Sequence, residues 1–446
     1  MEARPWVFPA WAGLGLVGVS ASGSFAAEEA GFRPCMRCRP ETAPGSPAWL
    51  GTSTTVQRAV RMILAGSLEG EGVEELAERL GVGARHLRRL FARHVGASPR
   101  AIARTRRVHF ARKLLEETDL SMVEVAESAG FTSVRRFNAE IADTFRKPPS
   151  ALRGNGIRSE APLCLRLPYK APFDWASMIA FLGARATPGV EKVDPDAYLR
   201  SIQVEGAPAL LEVRRGGGAH LEVRLTAPPG RSLVGLLDRV SRLFDLGADP
   251  IAIDAHLRRD ARLRPKLRVR PGLRIPGAWD GFEVAVRAIL GQQVSVRGAT
   301  TLAGRLAERF GEAIEPARSR GLTRLFPRAE VLAEADVASI GLPAARARAI
   351  GELAERVATG ALVLDGSSDP DATRARLLAI RGVGPWTADY VAMRVLAEPD
   401  AFPSGDLALR RALGPRALSA VELSAEAEAW RPFRAYAAMH LWMDGR

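Results

Sequence analysis

The 446-residue sequence predicts a mainly α-helical chain that carries one small α+β domain. Three observations predict it. Residues 52–153 hold two similar helix–glycine–helix blocks. Residues 163–227 switch to two-residue apolar alternation, and from about 231 a helical period returns. With 47% hydrophobic and 25% charged residues the composition is that of a folded globular chain, long enough for two to four cores. The expected divisions are 1–50 (an irregular module and linker), 51–153 (helical), 160–230 (α+β) and 231–446 (helical).

The first fifty residues are the least regular. The chain is apolar from Trp6 to Val19, as in a signal peptide, but Glu2 cancels Arg4 ahead of that run. No other stretch approaches the ~18 apolar residues of a membrane span. A cytoplasmic protein with no membrane partner is expected. Cys35 and Cys38 form a C-x-x-C in "GFRPCMRCRP", and Cys164 is the third cysteine. Three cysteines make no disulfide framework, and Cys164 is expected to be buried in a strand.

In the helical block, Val73, Leu76, Ala77 and Leu80 form one stripe, Gly81 interrupts it, and Leu87, Leu90 and Phe91 begin another. Ser121 and Glu124 form a capping box, Gly130 makes a turn, and Val134, Phe137 and Ile141 stripe the next helix. Helix, short glycine turn and helix, twice, joined by a basic helix around 99–117, is a double helix-turn-helix. Net charge is +13, but only five of the 63 basic residues are lysine in an Ala- and Arg-rich chain, so distribution says more than the total. From Arg79 to Lys113 there are eleven Lys/Arg and no acidic residue, which suits a polyanion. Exposed Arg85, His86, Arg88 and Arg89 on the first second-position helix are candidates for groove contacts. So are Ser133, Arg135, Arg136 and Asn138 on the other.

After a linker, "LCLRLPY", "YLRSIQVEG", "ALLEVRR" and "HLEVRLTA" read as strands, "RRGGGAH" as a hairpin turn, and "DWASMIAFLGARA" as a helix between the first two. Further on, Phe282, Ala285, Val286, Ile289 and Leu290 stripe a helix. Then comes "LLAIRGVGPWTADY". Leu377, Leu378 and Ile380 end one helix, "RGVG" turns, and Pro385 opens the next. Gly382 and Gly384, without Cβ atoms, let backbone N–H groups approach a phosphate oxygen. A G-x-G alone marks a tight turn as readily.

The flanks are more specific. "LLAIRGVGPWTADYVAMRVL" with "DAFPSGDLALRRAL" resembles the helix-hairpin-helix DNA glycosylases. "WDGFEVAVRAILGQQVSVRGATTLAGRLAERFG" and "WRPFRAYAAMHLW" resemble their AlkA branch, the 3-methyladenine glycosylases, over about 163–446. The resemblance implies that Asp406 is the catalytic carboxylate, steadying positive charge on the sugar as an N-glycosidic bond breaks. Without it, Asp406 reads as a helix cap. It further implies that Trp386, Tyr390 and Trp442 line a base pocket suited to cationic alkylated purines. Gly382, Val383 and Gly384 would hold the DNA backbone, and Gln293 of "GQQVS" would fill the gap left by a flipped base. The carbonyls of Leu378, Ile380 and Val383 would bind a monovalent cation. Lyase-type relatives carry a lysine where Trp386 stands. No lysine follows Lys266 here, so base release without strand cleavage is expected. Trp430 and Phe433 are expected to be core.

The N-terminal half resembles the Ada regulators. "GFTSVRRFNAEIADTFRKPPSALR" has the ending of an AraC-type DNA-binding domain, and "RPCMRC" is similar to part of the Ada zinc domain. That zinc site uses four cysteines, one of which accepts a methyl group. Two thiolates cannot close a tetrahedral site, so neither zinc nor methyl transfer is expected from Cys35 and Cys38 unless the reading frame extends upstream. No cofactor is expected for catalysis. The resemblances imply double-stranded DNA as partner, with RNA polymerase a further one for a regulator, and a nucleoid-associated location. Two alternatives stand beside excision of alkylated purines: a regulator whose C-terminal half binds damaged DNA without turnover, and a glycosylase for hypoxanthine, oxidised or mismatched bases.

Overall fold

A computed structural model describes residues 54–68, 72–154, 163–226, 230–315, 320–414 and 416–444. The chain divides into two compact units, Met1–Tyr169 with Pro228–Asp238, and Lys170–Ala227 with Arg239–Arg446. Cys35, Cys38 and the apolar segment before them lie outside the described residues.

In the first unit, α1 (Thr54–Leu64), α2 (Val73–Arg79) and α3 (Ala84–His94) precede the long α4 (Pro99–Glu117). Then come α5 (Met122–Ser128), α6 (Val134–Phe145), the short α7 (Pro149–Leu152) and β1 (Leu163–Pro168). Each boundary has a local cause. Gly81 at φ +71° and Gly130 at φ +84° occupy the left-handed region between paired helices, where a side chain would be strained. Ser98 caps α4 ahead of Pro99. Ser121 and Glu124 close a reciprocal capping box on α5, and Ser133 caps α6. The expected stripes become core. Val73, Leu76, Ala77, Leu87 and Phe91 cluster with Val56, Ala59, Val60, Ile63 and Ile102, and Phe137 and Ile141 are buried in the second block. At about 1.5–3 kcal/mol per large apolar side chain, this burial rather than helix propensity holds such short helices.

The expectation for Cys164 is overturned. In β1 the two-residue alternation buries Leu165 and Leu167, which puts Cys164 and Arg166 on the exposed face.

The second unit opens with α8 (Trp175–Ala184), capped by Asp174 and buried over most of its surface. An antiparallel meander follows: β2 (Glu191–Asp194), β3 (Ala197–Val204), β4 (Ala207–Arg215) and β5 (His220–Leu225), with Tyr198 opposite Val213 and Leu211 opposite Leu225. β2 was not foreseen, because four residues reading "EKVD" carry no apolar alternation. The remaining helices run α9 (Leu233–Leu243), α10 (Pro250–Leu257), α11 (Arg264–Val269), α12 (Gly281–Leu290), α13 (Val296–Phe310), α14 (Ala329–Glu334), α15 (Ala344–Ala358), α16 (Pro370–Leu378), α17 (Pro385–Arg394), α18 (Leu407–Arg411), α19 (Ala420–Ala427) and α20 (Arg434–Asp444).

Two apolar cores organise these helices. One gathers α12, α15 and α17, and the other gathers α10, α11 and α18 to α20. The expected α12 stripe is buried, but so are Val284 and Ala288 on its other side, because that helix is enclosed all round. Trp430 and Phe433 are core, as expected. Tyr390 packs against both cores, so α17 lies along the seam between them. The sheet is joined to α12 through ions: Arg200 pairs with Glu283 at 2.7 Å, and Arg287 with Glu191 at 2.9 Å and Glu283 at 3.0 Å. Among the described residues, no helix is long and apolar enough to cross a membrane.

Burial lifts the Asp245 carboxyl to about 6, outweighing nearby Arg274 and hydrogen bonds from the Tyr436 hydroxyl (2.9 Å) and the Ile275 N–H. A carboxyl raised in the folded state contributes stability below its unfolded value near 4 and loses it as pH rises through about 6. Asp245→Asn stays neutral throughout. Thermal melts should therefore show the variant gaining on the native protein between pH 4 and 7, by about 2–4 °C for each 1 kcal/mol.

Candidate active site

The turn read from "RGVG" forms as expected. α16 ends at Leu378, Gly382 reverses the chain at φ +95°, and Gly384 leads into Pro385 at the first position of α17. Val383 and Ile380 are buried and pin the turn to the core, while Arg381 and Gly382 are exposed. The carbonyls of Leu378, Ile380 and Val383 belong to this hairpin, and that of Ile380 accepts the Val383 N–H at 3.0 Å.

A second loop is tied to it. The Gln292 side-chain amide donates to the Gly382 carbonyl and to the Thr387 hydroxyl, each at 3.0 Å, while Arg346 donates to the Gln292 carbonyl at 2.8 Å. With Gln292 held this way, the next residue turns outward. Gln293 is exposed with φ +58°, a left-handed conformation that a non-glycine residue adopts at a cost, and Val294 beside it is 40% exposed.

Asp406 carries the site. It is the N-cap of α18, and its Oδ1 accepts the Ala408 N–H at 2.9 Å and the Leu409 N–H at 3.1 Å. The same oxygen accepts the Trp442 indole N–H at 3.0 Å, and Oδ2 accepts the Trp386 indole N–H at 2.9 Å. Capping and site geometry therefore coexist in one residue. Its donors are uncharged N–H groups, which orient it without a countercharge. Trp386 comes from the first turn of α17 and Trp442 from the end of α20. Between them, Tyr390 stacks on Trp386 with ring centroids 5.3 Å apart at 14°, and lies 6.3 Å from Trp442 at 59°. The three expected pocket residues and Asp406 are thus one cluster, each partly exposed.

The Tyr390 hydroxyl accepts from Arg394 at 2.5 Å. Burial pushes this phenol up, but Arg394, Arg185 and Arg287 together outweigh it and hold it below the usual tyrosine range. Gln292, Thr387 and Arg394 escaped the sequence reading. The i, i+4, i+8 spacing of Trp386, Tyr390 and Arg394 was the available signal for the last.

In the first unit the groove-contact candidates Arg85, His86, Arg88 and Arg89 on α3, and Ser133, Arg135, Arg136 and Asn138 at α6, are all exposed. Some have other engagements. Arg88 pairs with Glu74 at 2.5 Å, Arg136 with Glu140 at 2.8 Å, and the Ser133 hydroxyl accepts the Arg136 N–H as a cap. Arg89 contacts the His86 ring at 2.9 Å. Among the described residues, no group of three or more His, Cys, Asp or Glu is placed to hold a metal ion.

Three family models match in order along the chain: a helix-turn-helix domain at 76–155, an AlkA N-terminal domain at 164–280, and an HhH-GPD superfamily base excision DNA repair protein at 286–428. A probable bifunctional transcriptional activator/DNA repair enzyme AlkA of Mycobacterium tuberculosis is 42% identical over 94% of this chain and 86% of its own length. DNA-3-methyladenine glycosylase 2 of Escherichia coli is 34% identical over 62% of this chain and 95% of its own. Among solved structures, a 3-methyladenine DNA-glycosylase from Archaeoglobus fulgidus superposes with a TM-score of 0.57 at 23% identity, covering 63% of this chain and 98% of that one.

Gln292→Ala removes both side-chain bonds that tie its loop to the hairpin. At about 1 kcal/mol per net hydrogen bond, denaturant melts should show the second unit destabilised by about 1–2 kcal/mol, with amide exchange in 291–295 accelerated.

Proposed function

Because the chain belongs to the AlkA-type DNA-3-methyladenine glycosylases, in the form fused to an AraC-type helix-turn-helix domain, we propose that Asp406, Trp386, Tyr390 and Trp442 perform excision of alkylated purines. The observation that carries this reading is the doubly indole-bonded carboxylate of Asp406, set among three rings.

Alkylation at N3 or N7 gives a purine a formal positive charge and weakens its bond to the sugar. Electron-rich ring faces attract such a base by stacking and cation–π contact, with little call for a hydrogen-bond pattern. Once the nucleotide is turned out of the helix, the C1′–N bond breaks and its electron pair goes to the base, which leaves neutral. Positive charge appears on the sugar, where Asp406 steadies it. A water oxygen closes onto C1′ and its proton passes to solvent, leaving an abasic site. With no lysine beyond Lys266 to attack the sugar, the strand is not cut. The N–H groups of Gly382 and Gly384 hold the phosphate beside the lesion, Val383, whose own N–H goes to the Ile380 carbonyl, shapes the turn between them, and Gln293 enters the gap in the stack. The hairpin carbonyls of Leu378, Ile380 and Val383 are hard oxygen donors suited to a monovalent cation, which would add positive charge near the phosphate.

The exposed residues of α3 and α6 engage DNA of defined sequence, with RNA polymerase as a further partner in promoter control, and the protein works at the nucleoid in the cytoplasm. The four-part division at 1–50, 51–153, 160–230 and 231–446 separates these tasks.

Asp406→Asn keeps size and capping capacity but loses the charge. On a duplex with one 3-methyladenine or 7-methylguanine, abasic-site formation should fall by about 10²–10³-fold while lesion binding persists. Undiminished release by Asp406→Asn contradicts the assignment.

A further inference from the structure

Trp386, Tyr390 and Arg394 follow one another at i, i+4 and i+8 along one face of α17, spanning about 12 Å of helix rise. Asp406 sits against the first of them and a guanidinium closes the far end. Arg394 is buried, with 6% exposed. Its Nη2 donates to the Gly277 carbonyl at 2.9 Å, its Nε to the Pro276 carbonyl, and its Nη1 to the Tyr390 hydroxyl. Its carbon lies 5.4 Å from the Tyr390 ring centroid and 5.0 Å from that of Phe181. Its hydrogen-bond acceptors are two carbonyls and a phenol, with no carboxylate among them. The neighbouring arginines are treated differently. Arg200 and Arg287 share Glu191 and Glu283, two charges against two. Glu191 and Glu283 line one small cavity with Arg394 but pair with Arg200 and Arg287, so among the described residues Arg394 has no carboxylate within 4 Å, although burying a charge without a direct partner is costly. The Tyr390 phenol is held low by Arg394 itself together with Arg185 and Arg287, so three guanidinium groups act on that end of the helix face.

We propose that Arg394 is the electropositive end of an electrostatic gradient whose negative end is Asp406, and that this gradient drives the electron pair of the breaking glycosidic bond into the base. The inference rests on the excision reading above. A purine held between the two ends has its base toward Arg394 and its sugar toward Asp406. When the C1′–N bond of a cationic base breaks, positive charge moves from base to sugar, away from the guanidinium and toward the carboxylate. When the base is uncharged, as hypoxanthine is, its departure places negative charge on the base beside Arg394, and it then takes a proton as water adds to C1′. Both departures move the same charge along the gradient, so both are accelerated alike. Arg394 touches neither substrate nor water, and acts across Tyr390.

The test compares Arg394→Lys, which keeps the charge, with Arg394→Met, which removes it. Since Met leaves the Pro276 and Gly277 carbonyls without donors, Arg394→Gln is run beside it as an uncharged variant that still donates. Single-turnover release is measured on duplexes carrying 7-methylguanine or hypoxanthine, with thermal melts and duplex binding alongside. The rate should follow charge. Lys should stay within about 3-fold of native, while Met and Gln fall about 10-fold on 7-methylguanine and on hypoxanthine alike. A Lys variant as slow as Met, or Met and Gln variants that release both bases at the native rate, would make Arg394 a scaffold and overturn the inference. A native protein that releases neither base overturns the excision reading itself.

Discussion

The second unit depends functionally on how one carboxylate is held. Asp406 accepts two indole N–H groups and two backbone N–H groups, and these bonds bring together the start of α17, the start of α18 and the end of α20. Each donor constrains a different element, so the carboxylate sits at a fixed distance from both rings. None of the donors carries a formal charge. An arginine in their place would orient the acid equally well but would cancel the charge that an electron-poor sugar needs.

Packing supplies the rigidity this arrangement requires. α17 runs along the seam of two cores, with Ala388 and Val391 in one and Met393 in the other, so its exposed first turn is anchored by a buried last one. Gln292 couples the neighbouring loop to the same hairpin, and that loop presents Gln293 in a strained conformation toward solvent. Rigid support beneath and a strained residue at the rim suit a surface that must displace a base from a duplex, where the cost of unstacking is offset by contacts made on arrival.

Much of this was legible in the sequence, for identifiable reasons. Helix stripes such as Val73–Leu80 and Phe282–Leu290 declare themselves because burial enforces a 3.6-residue period. The hairpin declares itself because Gly382 permits the reversal, Pro385 suits the helix start, and the flanking motifs separate it from an ordinary tight turn. Asp406 was ambiguous from spacing alone, since a helix cap and a catalytic acid ask for the same residue. The structure shows one side chain meeting the capping requirement and gathering the rings. What stayed hidden was tertiary. Cys164 was misplaced because alternation fixes which residues share a face but not which face is inward. β2 was too short to carry a pattern. The indole–carboxylate bonds, the Gln292 tether and the hydrogen bonds of Arg394 join residues between 4 and 118 positions apart. Periodicity does not report such pairs.

The central claim is that Asp406 stabilises positive charge on the sugar. It is tested most directly by duplexes in which the lesion sugar is replaced by a pyrrolidine, cationic at neutral pH, or by an uncharged tetrahydrofuran of the same shape. The account predicts that the native protein binds the cationic duplex at least about 10²-fold more tightly than the neutral one. Asp406→Asn should lose that preference while binding the neutral duplex unchanged. Equal affinity of the native protein for both duplexes, or a preference that survives in Asp406→Asn, would contradict it.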